Sequence, residues 1–331
     1  MNATQPATTM KAVVQDGYGS PDVLHLAEVN TPAVKDGGVV VQVRAASVNV
    51  VDWVTLTGRP YIVRPALGGV RRPRTIVRGQ DVAGAVVAVG NDVKRLRPGD
   101  EVFGWCDGTF AEYACAAESS FVHKPVGLTF EQAAAIPVTA ATALKNLRDV
   151  GRIQQGQRAL INGAAGGVGT FGVQIAKWLG AEVTGVCSTR NVDLVRSLGA
   201  DHVIDYTRED FTSGGRRYDL ILDNVMNHSS SDCRRVLAPH GILILNNGTS
   251  GGRWFGTIGR MAGAMLMSRF VHQQLRVASL PRVEDLPLIK HLVDEGKLRP
   301  VIDQSFPLGE TAEALRYLGA GHARGKVIIT V

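Results

Sequence analysis

The sequence predicts an α/β protein with a doubly wound parallel sheet, joined to a separate β-rich part. Three observations predict it. After about Phe130, short apolar runs alternate with helical stretches, the pattern of parallel strands with helices on both faces. One of those steps, residues 159–187, holds a glycine-rich turn between a strand and a helix. Before Phe130 the chain reads as short β-branched runs punctuated by Gly and Pro. At 331 residues, roughly 100–200 per domain gives a prior of two domains.

Residues 1–10 are polar and small, without the basic-then-apolar pattern of a secretory leader. We read 1–9 as a disordered lead-in, with the fold starting near Lys11. Residues 11–15, 39–45 and 83–89 read as strands, and "RPGDEV" as a turn into another. Further on, the strand candidates are 159–162, 182–187, 202–204, 220–222 and 242–245, with 327–331 as a last strand. Helices fall at 167–179 and 191–198. Phe255, Ile258, Ala262, Met265 and Leu266 recur at helical spacing, with Met261 and Met267 beside them. That helix either lines an apolar cleft or packs against the fold or another subunit.

Composition excludes several classes. With 45% apolar and 20% charged residues the chain is globular. Six arginines lie between Arg59 and Arg78, but the stretch has one aromatic, Tyr61, and no nucleic-acid motif. It reads as a solvated or substrate-facing loop, with no nucleic-acid partner. No apolar run reaches the ~18–20 residues of a membrane span; the longest candidate, 255–271, is interrupted by Arg260 and Arg269. Cys106, Cys115, Cys187 and Cys233 fit neither a metal motif nor a disulfide framework. They fit a reducing, cytoplasmic location.

The most informative stretch is "ALINGAAGGVGTFGVQIAKWLGAEVTGVCSTRN". A strand, a turn, a helix and a second strand follow in the order that a dinucleotide fingerprint requires. In Ala164-x-Gly166-x-x-Gly169, Ala replaces the usual first Gly. Gly166 lets the backbone approach a pyrophosphate, and Gly169 lets the helix pack closely on the strand. The helix N-terminus adds unpaired N–H groups and the positive end of its dipole. The second strand ends in Cys187-Ser188-Thr189-Arg190, with no carboxylate to bind ribose hydroxyls. Ser188, Thr189 and Arg190 can donate to a 2′-phosphate, and Tyr206 in "VIDY" lies within reach of the same end. The cofactor expected is NADPH.

Read together, "VRAASVNVVDW", "GQDVAGAVVAVG", "RPGDEVFG", "AAAIPVTAATAL", "NGAAGGVG", "LGADHVIDY" and "GKVIITV" resemble the quinone oxidoreductase, zeta-crystallin-like branch of the zinc-independent medium-chain dehydrogenases/reductases. The resemblance implies a GroES-like β-barrel catalytic domain in two pieces, 10–131 and 286–331, and a Rossmann NADP-binding domain, 132–285. It implies a dimer or tetramer whose Rossmann sheets pair across the interface, with a homodimer expected. It places Ala165, Gly166, Gly167 and Val168 at the pyrophosphate, beside the fingerprint's Gly169, with Ser188, Arg190 and Tyr206 at the 2′-phosphate, and Asn227, Asn247 and Gly248 near the nicotinamide and ribose. Where the zinc enzymes of the family carry Cys, Gly-His-Glu and a later Cys, this chain has Asn49, Gly79-Gln80-Asp81 and Val138. These cannot supply the roughly three ionised N, S or O ligands of a catalytic zinc, so no metal is expected.

Without a Lewis acid, the reaction expected is hydride transfer to a small apolar quinone or α,β-unsaturated carbonyl. Hydrogen-bond donors then stabilise the charge on oxygen. Metal-free alcohol/carbonyl or enoyl-type reduction in biosynthesis is an alternative, and non-catalytic NADPH binding is another. Asn49, Asp52 and Tyr61 are the catalytic candidates. Asn49 can donate to a substrate oxygen or to the ribose, although Asn and Asp at this spacing also read as helix caps.

Overall fold

The computed structural model describes residues 8–67, 69–73, 76–246, 257–321 and 323–331. Two compact units emerge. One runs to Val138 and adds Val283–Gly296 and Pro300–Val331; the other is Thr139–Arg282 with Lys297–Arg299.

The first unit is mostly antiparallel sheet. Strands β1 (Thr9–Gln15) and β2 (Leu24–Asn30) form a ribbon in register from Thr9↔Asn30 to Gln15↔Leu24. A seven-stranded sheet is centred on β3 (Gly38–Val48). Its Val-rich run is buried on both faces, which explains why it shows no polar–apolar alternation. One side of β3 pairs with β4 (Asp81–Val89), which continues to β5 (Glu101–Trp105) and β7 (Phe121–His123). The other side is shared. Gly38 to Gln42 pair with β6 (Tyr113–Ala117), and Ala45 to Val48 pair with β15 (Lys326–Thr330), itself parallel to β14 (Ile302–Pro307).

Helix α1 (Val50–Thr57) follows β3 directly and stops at Gly58, which takes the left-handed φ of +58° typical just past a helix end. Its inner face carries Asp52 and Leu56, one turn apart and both buried. The short α2 (Phe130–Ala134) is capped by Thr129, whose hydroxyl accepts from Gln132 N. Helix α3 (Pro137–Leu144) marks the change of unit and runs into a π-helical turn, Lys145–Val150.

The second unit is a six-stranded sheet with every pairing parallel. Its strands are β8 (Arg158–Asn162), β9 (Glu182–Cys187), β10 (His202–Asp205), β11 (Tyr218–Asp223), β12 (Leu237–Leu245) and β13 (Gln274–Val277). The order is β10-β9-β8-β11-β12-β13, so it reverses between β8 and β11. In such sheets, ligands bind beyond the carboxyl ends of the strands at that reversal. Helices α4 (Gly167–Trp178), α5 (Val192–Ser197), α6 (Ser230–Arg235) and α7 (Ile258–Met267) lie between the strands. Helices α8 (Leu286–Asp294) and α9 (Thr311–Gly319) return to the first unit, where α9 buries Ala314 and Leu315.

The strands expected from the sequence are present, with ends moved by a few residues. β12 starts at Leu237 rather than 242, because "APHG" reads as a turn yet sits on a register shift in the pairing with β11. Strands β2, β6, β7, β13 and β14 have no clear signal: they are short or carry polar residues on both faces. The expected apolar helix runs over Ile258–Met267, with Phe255 outside the described residues. On it Ala264 is buried, whereas Met265 and Leu266 are exposed. All four cysteines are free thiols. Burial pushes Cys106 and Cys233 up to about 12 and Cys187 to about 11, so these three are poor nucleophiles.

Candidate active site

The glycine turn joins β8 to α4. Gly163 takes φ +77°, and Ala164 N donates to Val186 O at 2.9 Å, fastening the turn to β9. A Cβ on Gly169 would lie 2.0 Å from Gly163 O and 2.8 Å from Ala164 Cα, so only glycine lets the helix cross the turn. A Cβ on Gly166 would meet only Gly163 O, at 3.5 Å. Gly166 therefore keeps an open face for a ligand. The N–H groups of Gly167, Val168 and Gly169 precede the helical ladder and have no helical acceptor. Ala165 is buried beside them. This cradle fits a pyrophosphate.

A side-chain network underlies the turn. Asn162, at the end of β8, donates to Asp223 Oδ1 at 2.7 Å and to Asn227 Oδ1 at 3.0 Å. Asp223 ends β11 and also accepts from Val225 N and Met226 N. Its Oδ2 is buried with no partner among the described residues. Asn224 donates to Asn162 O and accepts from Asn246. Met226 sits at φ +58°, and Arg260 donates to Met226 O and His228 O. Of the sequence candidates here, Asn227 joins the network, while Asn247 and Gly248 lie outside the described residues. Asn162, Asp223 and Asn224 escape a motif reading. The available signal is a polar residue at the carboxyl end of each strand flanking the reversal.

Ser188, Thr189 and Arg190 follow β9, with Ser188 half-buried and the other two exposed. Asn191 Nδ2 donates to Ser188 Oγ at 3.2 Å. Tyr206, 56% exposed, is tied by its backbone N to Cys187 O. The structure adds an acid to this end. Asp205 is in register with Cys187 across the β9–β10 pair. Thr189 Oγ1 donates to Asp205 Oδ2 at 2.5 Å, Thr207 adds its N–H and hydroxyl, and Arg208 lies 3.5 Å away. The Thr189 hydroxyl above all holds this carboxyl below its ordinary range. The hydroxyl proton of Thr189 is thus committed to Asp205.

In the first unit, Asn49 and Asp52 belong to a buried polar hub. Lys326 Nζ on β15 donates to Asn49 Oδ1 at 2.6 Å, Val48 O at 3.1 Å and Asp81 Oδ2 at 3.2 Å, satisfying all three ammonium protons. Asp81, fully buried at the start of β4, also accepts from Asn49 Nδ2 (2.9 Å), Ser47 Oγ (2.7 Å) and Val138 N (2.9 Å). Asp52 Oδ2 accepts from Asn49 N at 2.7 Å, so Asp52 does cap the start of α1. Burial pushes the Asp52 carboxyl up to about 7. The Asn49 N–H opposes that rise, Asp81 adds to it, and Lys326 and Arg78 oppose it. Tyr61 lies apart from the hub on a 3-10 turn, its ring 4.4 Å from the Arg64 guanidinium, which also stacks on Tyr18 at 4.6 Å. Sequence reading missed Ser47, Asp81 and Lys326 as partners, because they come together only in the folded sheet.

Comparison with known proteins bears on both sites. Residues 35–126 match the alcohol dehydrogenase GroES-like domain family, and 198–329 match the zinc-binding dehydrogenase family. The human mitochondrial NAD(P)H oxidoreductase RTN4IP1 is 36% identical over 372 residues, covering 100% of this chain and 92% of its own. The chain is a medium-chain dehydrogenase/reductase of the quinone oxidoreductase branch. A chloroplastic quinone-oxidoreductase, QR1, of Triphysaria versicolor is 34% identical, covering 97% of this chain and 98% of its own. A 2-methylene-furan-3-one reductase of Solanum lycopersicum is 32% identical over 97% of this chain and 79% of its own. The quinone oxidoreductase structure from Coxiella burnetii superposes with a TM-score of 0.83 at 30% identity, covering 98% and 99% of the two chains.

This medium-chain dehydrogenase/reductase is an oxidoreductase that uses a nicotinamide cofactor. The open face of Gly166 and the orphaned Oδ2 of Asp223 fit such a dinucleotide. The side chains at the three positions that the family resemblance assigns to zinc do not fit a zinc ligand set: Asn49 has its oxygen on Lys326, Gln80 is an amide and Val138 is hydrocarbon. The buried Lys326 ammonium repels a divalent cation. No cluster of three His, Cys, Asp or Glu suited to a metal occurs among the described residues.

Proposed function

We propose that this protein reduces quinones and α,β-unsaturated carbonyls with NADPH, without zinc. The observation that carries the reading is the hub, where a buried ammonium saturated by Asn49, Val48 and Asp81 engages Asn49, one of the positions that the family resemblance assigns to a zinc ligand. The names of the relatives, quinone oxidoreductases and a furanone reductase, support the same substrate class. When bound, the cofactor supplies a hydride, and conjugated acceptors spread the resulting charge. The chain holds the dinucleotide on Gly166–Gly169, with Asn227, Asn247 and Gly248 toward the nicotinamide and ribose. Ser188, Arg190 and Tyr206 receive the 2′-phosphate, while Thr189 works indirectly by hydrogen-bonding the Asp205 carboxylate. Asn49 positions the hub, and Asp52, buried with a raised pKa, is a proton source suited to neutral pH. Tyr61 remains a second donor candidate.

The division of labour follows the family: 10–131 and 286–331 form the catalytic domain, and 132–285 the cofactor domain. We further propose a homodimer joined along β13, the edge strand of the six-stranded sheet, beside the exposed Met265 and Leu266. A cytoplasmic location is supported by the free thiols. No helix among the described residues is long and apolar enough to cross a membrane.

The test is NADPH oxidation against a panel of quinones, enones and saturated aldehydes, with metal analysis of the same preparation. Deuteride from labelled NADPH is expected on the β-carbon of the enone product. Deuterium on a carbinol carbon, or one tightly bound zinc per chain, overturns the reading.

A further inference from the structure

Among the arginines at 59–78, Arg78 behaves unlike a solvated loop residue. It is 7% exposed, whereas Arg59, Arg71 and Arg72 are exposed and Arg64 is stacked between two rings. Its backbone is fixed: Arg78 N donates to Val13 O at 3.2 Å, and Phe110 N donates to Arg78 O at 2.8 Å. Yet two of its guanidinium nitrogens, Nε and Nη2, are sealed from solvent and have no hydrogen-bond partner among the described residues. Asp52, Asp107 and Tyr18 are the titratable groups that act on it, and none forms an ion pair with it within 4.0 Å among the described residues. Burial without a partner holds the guanidinium below its ordinary basicity.

A second orphan lies on the segment whose backbone pairs with Arg78 and Gly79. Thr109 Oγ1 is fully buried, also with no partner among the described residues. Gly79, next to Arg78, receives the N–H groups of Gly108 and Thr109 on its carbonyl, at 3.0 and 3.4 Å. Gly79 takes φ +94°, and a Cβ there would lie 2.5 Å from Thr109 Oγ1 and from Phe110 Cδ1. Only glycine therefore lets the backbone of residue 79 approach this hydroxyl so closely. Buried donors are ordinarily satisfied, so an unmatched guanidinium with an unmatched hydroxyl calls for an acceptor from outside the chain. That acceptor carries negative charge, because an uncompensated buried cation is unfavourable.

We propose that Arg78 and Thr109 form an oxyanion-binding site in the first unit, which takes the phenolate- or enolate-type oxygen of a conjugated substrate. The identity of the substrate rests on the reductase function proposed above. The anion preference rests on the orphaned donors alone. The oxygen of a quinone or enone is the atom that gains charge on reduction, and a fixed guanidinium favours that charged form over the neutral carbonyl. Asp52, on the inner face of α1 and electrostatically coupled to Arg78, is the nearby carboxyl that can return a proton.

The test uses 4-nitrophenol as probe with the full-length protein, because its colour reports ionisation without turnover. The wild type is expected to bind the phenolate on the order of tenfold or more tighter than neutral 4-nitroanisole, and to shift the dye's ionisation to lower pH. Arg78→Met is expected to abolish that preference, Arg78→Lys to retain part of it and Thr109→Val to weaken it. Circular dichroism checks that each variant is folded. If Arg78→Met does not fold, the wild-type dye shift and Thr109→Val still decide. Equal binding of phenolate and anisole by the wild type overturns the proposal, as does an unchanged preference in a folded Arg78→Met. Quinone-dependent NADPH oxidation is measured separately. Turnover without a phenolate preference removes the anion site and leaves the reductase. A phenolate preference with no quinone or enone turnover removes the reductase and leaves the site.

Discussion

The glycine turn of the second unit and the polar hub of the first do opposite things with buried backbone and charge. The turn offers the N–H groups of Gly167, Val168 and Gly169, which have no helical acceptor, toward the open face of Gly166. The hub gathers Ser47, Asn49, Asp81 and Lys326 from three strands and the start of a helix, and satisfies nearly every donor internally. The first is a socket and the second a clasp. Stability should therefore depend on the clasp, and cofactor affinity on the socket.

Lys326→Met strikes the clasp hardest. It leaves the Asp81 carboxylate buried without its cation, and stability is expected to fall by about 3–5 kcal/mol in urea unfolding. A loss under 1 kcal/mol would show that the remaining donors to Asp81 suffice. Arg190→Ala tests the socket's far end. Calorimetry should show NADPH binding weakened by roughly 1.5–3 kcal/mol, if a charged hydrogen bond is removed, with NADH nearly unaffected. Equal losses for both nucleotides would break the assignment of Arg190 to the 2′-phosphate.

Asp52 ties the clasp to pH. Its carboxyl is raised from 3.8 to about 7 in the fold, so between those values the folded state binds more protons than the unfolded one. Its contribution to stability is complete below about pH 4 and is lost as pH rises through about 7, with a slope of at most about 1.4 kcal/mol per pH unit. Asp81, Lys326 and Arg78 are the charged groups acting on it. Asp52→Asn should flatten that part of the stability profile. An identical slope in the variant would assign the effect elsewhere. The smallest change in stability is expected for Gly166→Ala. Its Cβ meets only one atom, at 3.5 Å, so the unfolding midpoint should move by less than about 0.5 kcal/mol while dinucleotide affinity drops. A large stability loss would mean that the turn is also structural.

The socket was legible because its parts are neighbours in sequence. Gly166, Gly169, the strand before them and the missing acid after Cys187 can all be read along one stretch. The clasp was half legible. Asn49 and Asp52 stood out, but as free catalytic groups or simple caps, whereas Asn49 has both ends of its amide engaged. Lys326 sits 277 positions from Asn49, and no local pattern connects them. Asp205 was hidden differently. Its motif was read for the tyrosine that follows, and only the β9–β10 register brings its carboxylate against Thr189. Arg78 was hidden among its neighbours, since a run of arginines reads as solvated surface until burial singles one out.

The placement of β15 also has a consequence for how the protein is made. Asp81 and Lys326 are 245 residues apart, and a ribosome adding about 5–20 residues per second delivers the lysine on the order of 10–50 s after the aspartate. Through that interval β3 lacks the strand that covers Ala45 to Val48. The first unit is therefore begun early in synthesis and closed late, after the whole second unit has emerged. A nascent chain stalled before β15 carries an intact dinucleotide fold beside an open, charged sheet edge, a state that chaperones would recognise.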